Sequence, residues 1–284
     1  MINMKKRLIK RIALVIFSVI IILICIGPIF YVFWNASKST EEYDRSNFSP
    51  PTDFSNLIKN IKTQISAGIF NWILNSLIVV TITVALTAIF TSMAGYSFAK
   101  LDIPGKNLIY WLIISVLAMP TQVFLIPLYV MFSRINMINN LLTLALIYTG
   151  FHFAFGTFLM TSFYRRIPTE LLESARIDGA NNFQMYFKIM VPLGMPAITT
   201  LAVLNFFSTW NELLFALIFN HRNEVRLVTP GLALFRQIEG VGGSVTQWPL
   251  IYTGMLISLI LPFIVYFIFQ NRIAAGITVG ALKE

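Results

Sequence analysis

Six runs of apolar residues, each long enough to cross a bilayer, divide this chain at 12–34, 72–98, 108–132, 141–163, 194–220 and 248–270. A crossing helix needs roughly 20 mostly apolar residues to span about 30 Å of hydrocarbon. Lipid offers the backbone no hydrogen bonds, so each run must satisfy its own N–H and C=O groups as a helix. The spacing predicts an all-α membrane protein of six transmembrane helices, folded as a single domain over residues 1–284. Composition agrees: charged residues make up only 12% of the chain, against about 25% in a soluble domain.

The first run follows Lys5, Lys6, Arg7, Lys10 and Arg11, as a signal peptide would. It is longer than a signal h-region and no small-x-small cleavage site follows, so it reads as a retained helix. Segments on one side of the six spans carry thirteen Lys and Arg, and those on the other side eight. The richer side is expected to be cytoplasmic, which places both termini inside. Segment 164–193 then also lies in the cytoplasm. Residues 35–71 form an external excursion with a short helix near 53–66. The net charge of +9 would suit nucleic acid, but the charges are scattered between apolar spans and form no basic face. Cys25 stands alone within an apolar run, which excludes an intrachain disulfide.

Between the fourth and fifth runs lies a polar stretch, Tyr164 to Pro192, whose residues dictate local structure. Pro168 suits a first helical position, where a missing N–H costs nothing. A helix running to about Ile177 can be ended by Gly179 in the left-handed conformation. Asn181 with Gln184 has the spacing of a capping box for a second helix. On that helix Phe183, Tyr186, Phe187 and Met190 fall on one apolar stripe. Pro192 and Pro196 are expected to stop or redirect the chain before the fifth span. The expected product is two short helices, crossing sharply on the cytoplasmic surface. Ser174 and Ala175 are small enough for another surface to approach the backbone; Glu173 adds a carboxylate, and Leu171 and Leu172 apolar anchorage.

Glu173, Ser174, Ala175, Gly179, Ile189, Val191 and Pro192 reproduce the pattern E-A-A-x3-G-x9-I-x-L-P, with Ser174 and Val191 as departures. This resembles the coupling loop of ABC-importer permeases. The resemblance continues in order through P-I-F-Y-V-F-W-N-A-S-K (Pro28 to Lys38, with Ala36 departing at the Ser position), N-S-L-I-V-V (Asn75 to Val80) and A-G-Y-S-F-A-K-L-D-I-P-G-K (Ala94 to Lys106). It then runs through M-P-T-Q-V-F-L-I-P-L-Y (Met119 to Tyr129), W-N-E (Trp210 to Glu212) and G-I-T-V-G-A-L-K (Gly276 to Lys283). Together these are similar to MalG-type permeases of carbohydrate ABC importers.

The resemblance implies a bacterial plasma-membrane subunit that forms half of a sugar pore with a MalF-type permease. Two copies of an ATPase would lie beneath it, and an external solute-binding protein would deliver sugar. ATP and Mg would be bound by the ATPase, with no cofactor on this chain. Glu173, Ser174, Ala175, Asp178, Gly179, Ala180, Ile189 and Pro192 would make the ATPase-coupling surface. The tail from Gly280 to Glu284 and the loop 221–247, with its G-V-G-G-S at Gly240 to Ser244, are further candidates for contact with the ATPase and the binding protein.

Glu212 is the only acidic residue inside a predicted span. A carboxylate there must pair, protonate or face water. With Asn211 it either lines a path or braces helix packing. Asn75, Ser76, Asn205 and Ser208 are further lining candidates. The competing reading, an ion-coupled carrier, calls for several intramembrane acids. An enzymatic reading lacks its motifs: no phosphate-binding loop occurs, since Gly105-Lys106 has no upstream Gly partner, and His152 and His221 join no nucleophile.

Overall fold

The computed structural model describes the backbone of residues 2–234 and 247–281, and the side chains of 10–234 and 247–270. The Gly240–Ser244 stretch and the last three residues of the tail lie outside the described residues. Every regular element among the described residues is helical. Among the described residues five helices are long and apolar enough to cross a membrane: Lys10–Ala36, Ile69–Lys100, Leu141–Arg165, Asn182–Trp210 and Trp248–Gln270. A bent pair makes a sixth if counted as one span.

The chain forms two compact units. One is Met1–Ile69 with Leu232–Ile260, the other Phe70–Gly231 with Leu261–Glu284. In the first, α1 (Ile2–Ala36) passes Pro28 without a break. None of the apolar window of α1 is buried within the chain. The segment 35–71 holds two helices rather than one, α2 (Thr40–Arg45) and α3 (Ser55–Ser66). Lys38 is fully buried and donates to the Ser46 carbonyl at 2.9 Å. Burial pushes its ammonium pKa down, with Glu42 acting in the opposite sense. The Asn60 amide donates to the Ala36 and Lys38 carbonyls, and the Gln64 amide to that of Leu250. These bonds pin α3 to the end of α1 and to the start of the helix Trp248–Ala281.

The second unit is built on α4 (Ile69–Lys100), α7 (Leu141–Arg165) and α10 (Val191–Trp210). Small residues let these helices meet closely, the usual means of helix association without water. A Cβ on Gly95 of α4 would sit 2.6 Å from Met160 Cβ and 2.9 Å from backbone atoms of Met160 and Thr161 on α7. A Cβ on Gly156 would meet Thr91, and one on Gly194 of α10 would meet the Tyr164 ring, each at 2.6 Å. Two apolar clusters fill the unit. One joins Val79, Leu144, Tyr148, Phe215 and Phe219; the other joins Tyr96, Met160, Tyr164, Leu172, Met190 and Leu201.

The expected third span, 108–132, is not one rod. It divides into α5 (Lys106–Ser115) and α6 (Leu125–Arg134), each extended by a tight turn, and the two halves are bent by 96°. Pro120 explains the break: a residue before proline is driven out of the helical region, and Met119 is extended at φ −92°, ψ 129°. Pro127 falls in the first turn of α6, where its missing N–H is harmless. The fifth span also stops early. α10 ends at Trp210, and after a break the chain resumes as α11 (Leu214–Phe219).

Candidate functional site

The stretch after α7 begins with α8 (Glu170–Ile177); Thr169 holds the N-cap position without a side-chain bond to the helix, so Pro168 precedes the cap instead of opening the helix. Its C-terminus closes as the sequence predicts. Gly179 has φ +85°; its N–H bonds the Arg176 carbonyl at 3.0 Å, and Ala180 N–H bonds that of Ala175 at 2.9 Å. Those two bonds define a Schellman motif. The Asn181–Gln184 capping box is also present, with both bonds at 2.9 Å.

Three expectations fail in the segment that follows. The second helix is not a separate piece: α9 (Asn182–Met185) runs through a π turn, Tyr186–Met190, straight into α10. Pro192 and Pro196 therefore do not stop the chain. Pro192 cannot donate to the Lys188 carbonyl, and the register has already slipped, with Val191 N–H bonded five residues back to Tyr186. The extra residue also rotates the apolar stripe. Tyr186 and Met190 are buried with Met185, while Phe183 and Phe187 are exposed, at 68% and 61%.

On α8 only Leu172 is buried; Leu171 is half exposed. Glu173, Ser174, Ile177, Asp178 and Gly179 are exposed, and Ala175, Ala180 and Ile189 partly buried against the cluster around Tyr164. Pro192 is exposed. The result is a short helix standing on one leucine, with its remaining faces open. Lys100, the last residue of α4, donates to the Ile167 carbonyl and to Thr169 Oγ1 at 3.2 Å.

The expected lining residues are dispersed around the other end of this unit. Asn75 donates to the carbonyls of Glu224 and Arg226 at 2.9 and 3.0 Å, and Ser76 Oγ accepts from Val228 N–H at 2.9 Å. Both pin the segment after α11 to α4. Asn205 is buried, and its Nδ2 meets no acceptor among the described residues. Ser208 and Asn211 are exposed, and the Asn211 amide bonds its own helix at Phe207. Glu212 lies in the break between α10 and α11. Its carboxylate accepts from Phe215 N–H (3.0 Å), Ala216 N–H (3.1 Å) and the buried Tyr148 hydroxyl. It caps α11 and ties it to α7. His152 Nε2 lies 3.1 Å from Thr209 Oγ1. Tyr148, Ser92 and Lys100 escaped the sequence reading. Lys100 closes a quoted motif, but nothing in the sequence states what its ammonium meets. Among the described residues no His, Cys, Asp and Glu cluster could hold a metal.

Residues 89–279, more than half of the chain, match the family described as "binding-protein-dependent transport system inner membrane component". The chain belongs to that family. Among relatives of this permease, the diacetylchitobiose uptake system permease protein NgcG of Streptomyces coelicolor is 28% identical over 95% of this chain and 87% of its own. The arabinooligosaccharides transport system permease protein AraQ of Bacillus subtilis is 28% identical over 96% of each chain. The sulfoquinovosyl glycerol transport system permease protein SmoH of Agrobacterium fabrum is 32% identical over 75% of this chain and 73% of its own. The fold is shared with a chain of a bacterial ABC transporter involved in the import of alginate, at a TM-score of 0.77 and 21% identity, covering 93% of this permease and 96% of that chain. These relatives are transport subunits, not enzymes, and family membership decides against the ion-coupled carrier. The permease is a multi-pass membrane protein.

Proposed function

We propose that this permease is the transmembrane half-pore of an ATP-driven importer for sugars or oligosaccharides, paired with a second, MalF-type permease. An external solute-binding protein delivers the sugar. Two copies of an ATPase bind from the cytoplasm, and the ATP and Mg belong to them. The chain crosses a bacterial plasma membrane six times as one permease domain, with the bent pair as its third crossing and both termini inside. Alternating access then follows from ATPase closure pulling on the segment 164–193.

The observation that carries this reading is α8. Eight residues are too few to form a stable helix alone, yet this one is held at both ends while Glu173, Ser174 and Ile177 face outward. A helix fixed in orientation but bare on its surface is suited to docking in a cleft of another protein. Ala175, Asp178, Gly179, Ala180, Ile189 and Pro192 shape its base. That three relatives are permeases for sugar-containing compounds supports the substrate class. The test is purification of the tagged permease from its native membrane. An ATPase and a second permease should copurify, and Glu173→Lys should reduce the ATPase recovered while the second permease stays. Recovery of the wild-type permease without any ATPase would refute the reading.

A further inference from the structure

One face of α4 meets the docking segment at several points. Ser92, Tyr96 and Lys100 lie at i, i+4 and i+8, in line on one side of a helix. Ser92 Oγ lies 2.7 Å from the Tyr164 hydroxyl, in the last turn of α7. The Tyr96 ring lies 5.6 Å from that of Tyr186, in the π turn. Lys100 reaches Ile167, between α7 and α8, and Thr169, the N-cap of α8. Gly95 meanwhile brings α4 against the backbone of α7 without slack.

We propose that this stripe carries movement of the docking helix into the membrane helices, with Lys100 as the positioning residue that fixes the start of α8 to α4. This rests on the docking reading above and adds a route to it. α8 has one buried side chain, Leu172, with Ala175 partly buried three residues on, and so narrow a base leaves a rod free to pivot. Its far end is fixed by the Schellman motif and the capping box, both of which act along the chain. Lys100 hydrogen-bonds its near end to the end of α4. An ammonium has three donors and no acceptor, so it can hold a carbonyl and a hydroxyl together. The long stem lets the charge reach past the end of the apolar run.

The test uses the intact complex with nitroxides on Ser97→Cys in α4 and Ile177→Cys in α8, after Cys25→Ser. Spin-spin distances are measured without nucleotide and with MgATP and vanadate. The expected wild-type result is one narrow distance, the same in both states, because α8 and the end of α4 move together. In Lys100→Met, which keeps the stem and loses the donors, the distribution should widen about twofold as α8 acquires loop-like motion. Lys100→Arg should restore the narrow distance. A wild-type distance that changes with nucleotide overturns the proposal, and so does a Lys100→Met distribution as narrow as wild type. If no ATPase accompanies the wild-type complex, the docking reading falls instead. The nucleotide-free widths of Lys100→Met and Lys100→Arg then still decide whether Lys100 fixes α8.

Discussion

Glu212→Ala removes the acceptor for three donors at once. Tyr148 is 2% exposed, so its hydroxyl has no route to water, and the Phe215 and Ala216 N–H groups open α11 with no other cap. A buried donor left without a partner costs about 1–3 kcal/mol. The two N–H groups lie at a helix end and can relax, so the sum should be roughly 3 kcal/mol rather than three times the upper figure. Tyr148→Phe alone deletes one donor but leaves the carboxylate two partners, and should cost about 1 kcal/mol. The decisive measurement is the double variant. With Glu212 already gone, removing the Tyr148 hydroxyl deletes an orphan, so Tyr148→Phe should then be neutral or stabilising, a coupling of about 1 kcal/mol or more. Reversible unfolding of the purified permease in mixed micelles, titrated with SDS, reads all three. If Glu212→Ala lies within about 0.5 kcal/mol of wild type and the two changes add, the carboxylate is not a brace.

Gly95→Leu should separate α4 from α7, because the obstructing atoms include backbone of Met160 and Thr161; a loss of about 1–3 kcal/mol is expected in the same titration. Gly150→Leu, where nothing lies within 4 Å, should be tolerated, and equal effects would refute the close-packing account. Gly179→Val puts a β-branched residue at φ +85° and should cost about 1–2 kcal/mol. It should raise proteolysis between α8 and α9 while leaving membrane insertion unchanged; wild-type protease resistance would show that the turn is not strained. Thr52→Cys should react with an impermeant thiol reagent in sealed right-side-out cells, and Gln184→Cys should not, each after Cys25→Ser. The reverse labelling would overturn the N-inside orientation.

Local signals with short reach were legible in the sequence. The left-handed Gly179 and the Asn181–Gln184 box are decided by residues within five positions of each other, and both stand as the spacing implies. The apolar runs located the long helices for the same reason. What failed depended on partners elsewhere. Pro192 and Pro196 looked like stops, yet the helix runs through both, as others run through Pro28 and Pro262, whereas Pro120 marks a sharp bend. The π turn before Pro192 changes which residues of the apolar stripe face inward, and no period of 3.6 foretells that. Glu212 was visible as an anomaly, but Tyr148, 64 residues away, is an ordinary aromatic until the fold brings it near.

The bend at Pro120 bears on what surrounds this chain. Helix ends leave carbonyls and N–H groups without intrahelical partners, and in hydrocarbon such irregular backbone persists only where protein or water covers it. Elsewhere in the chain that cover is supplied internally, by Glu212 at the α11 break and by the five-residue bond of the π turn. At the bend it is partial, with Ser115 Oγ donating to the Leu112 carbonyl at 2.8 Å. Residues 115–120 are all exposed, Met119 to 55%, and the bonds Met119 N–H to Val116 and Val123 N–H to Pro120 account for only part of the two ends. A lipid-facing bend of this kind would be costly. In the importer proposed above, the second permease or the aqueous path would supply that cover, and α5 and α6 would then face the pore rather than lipid.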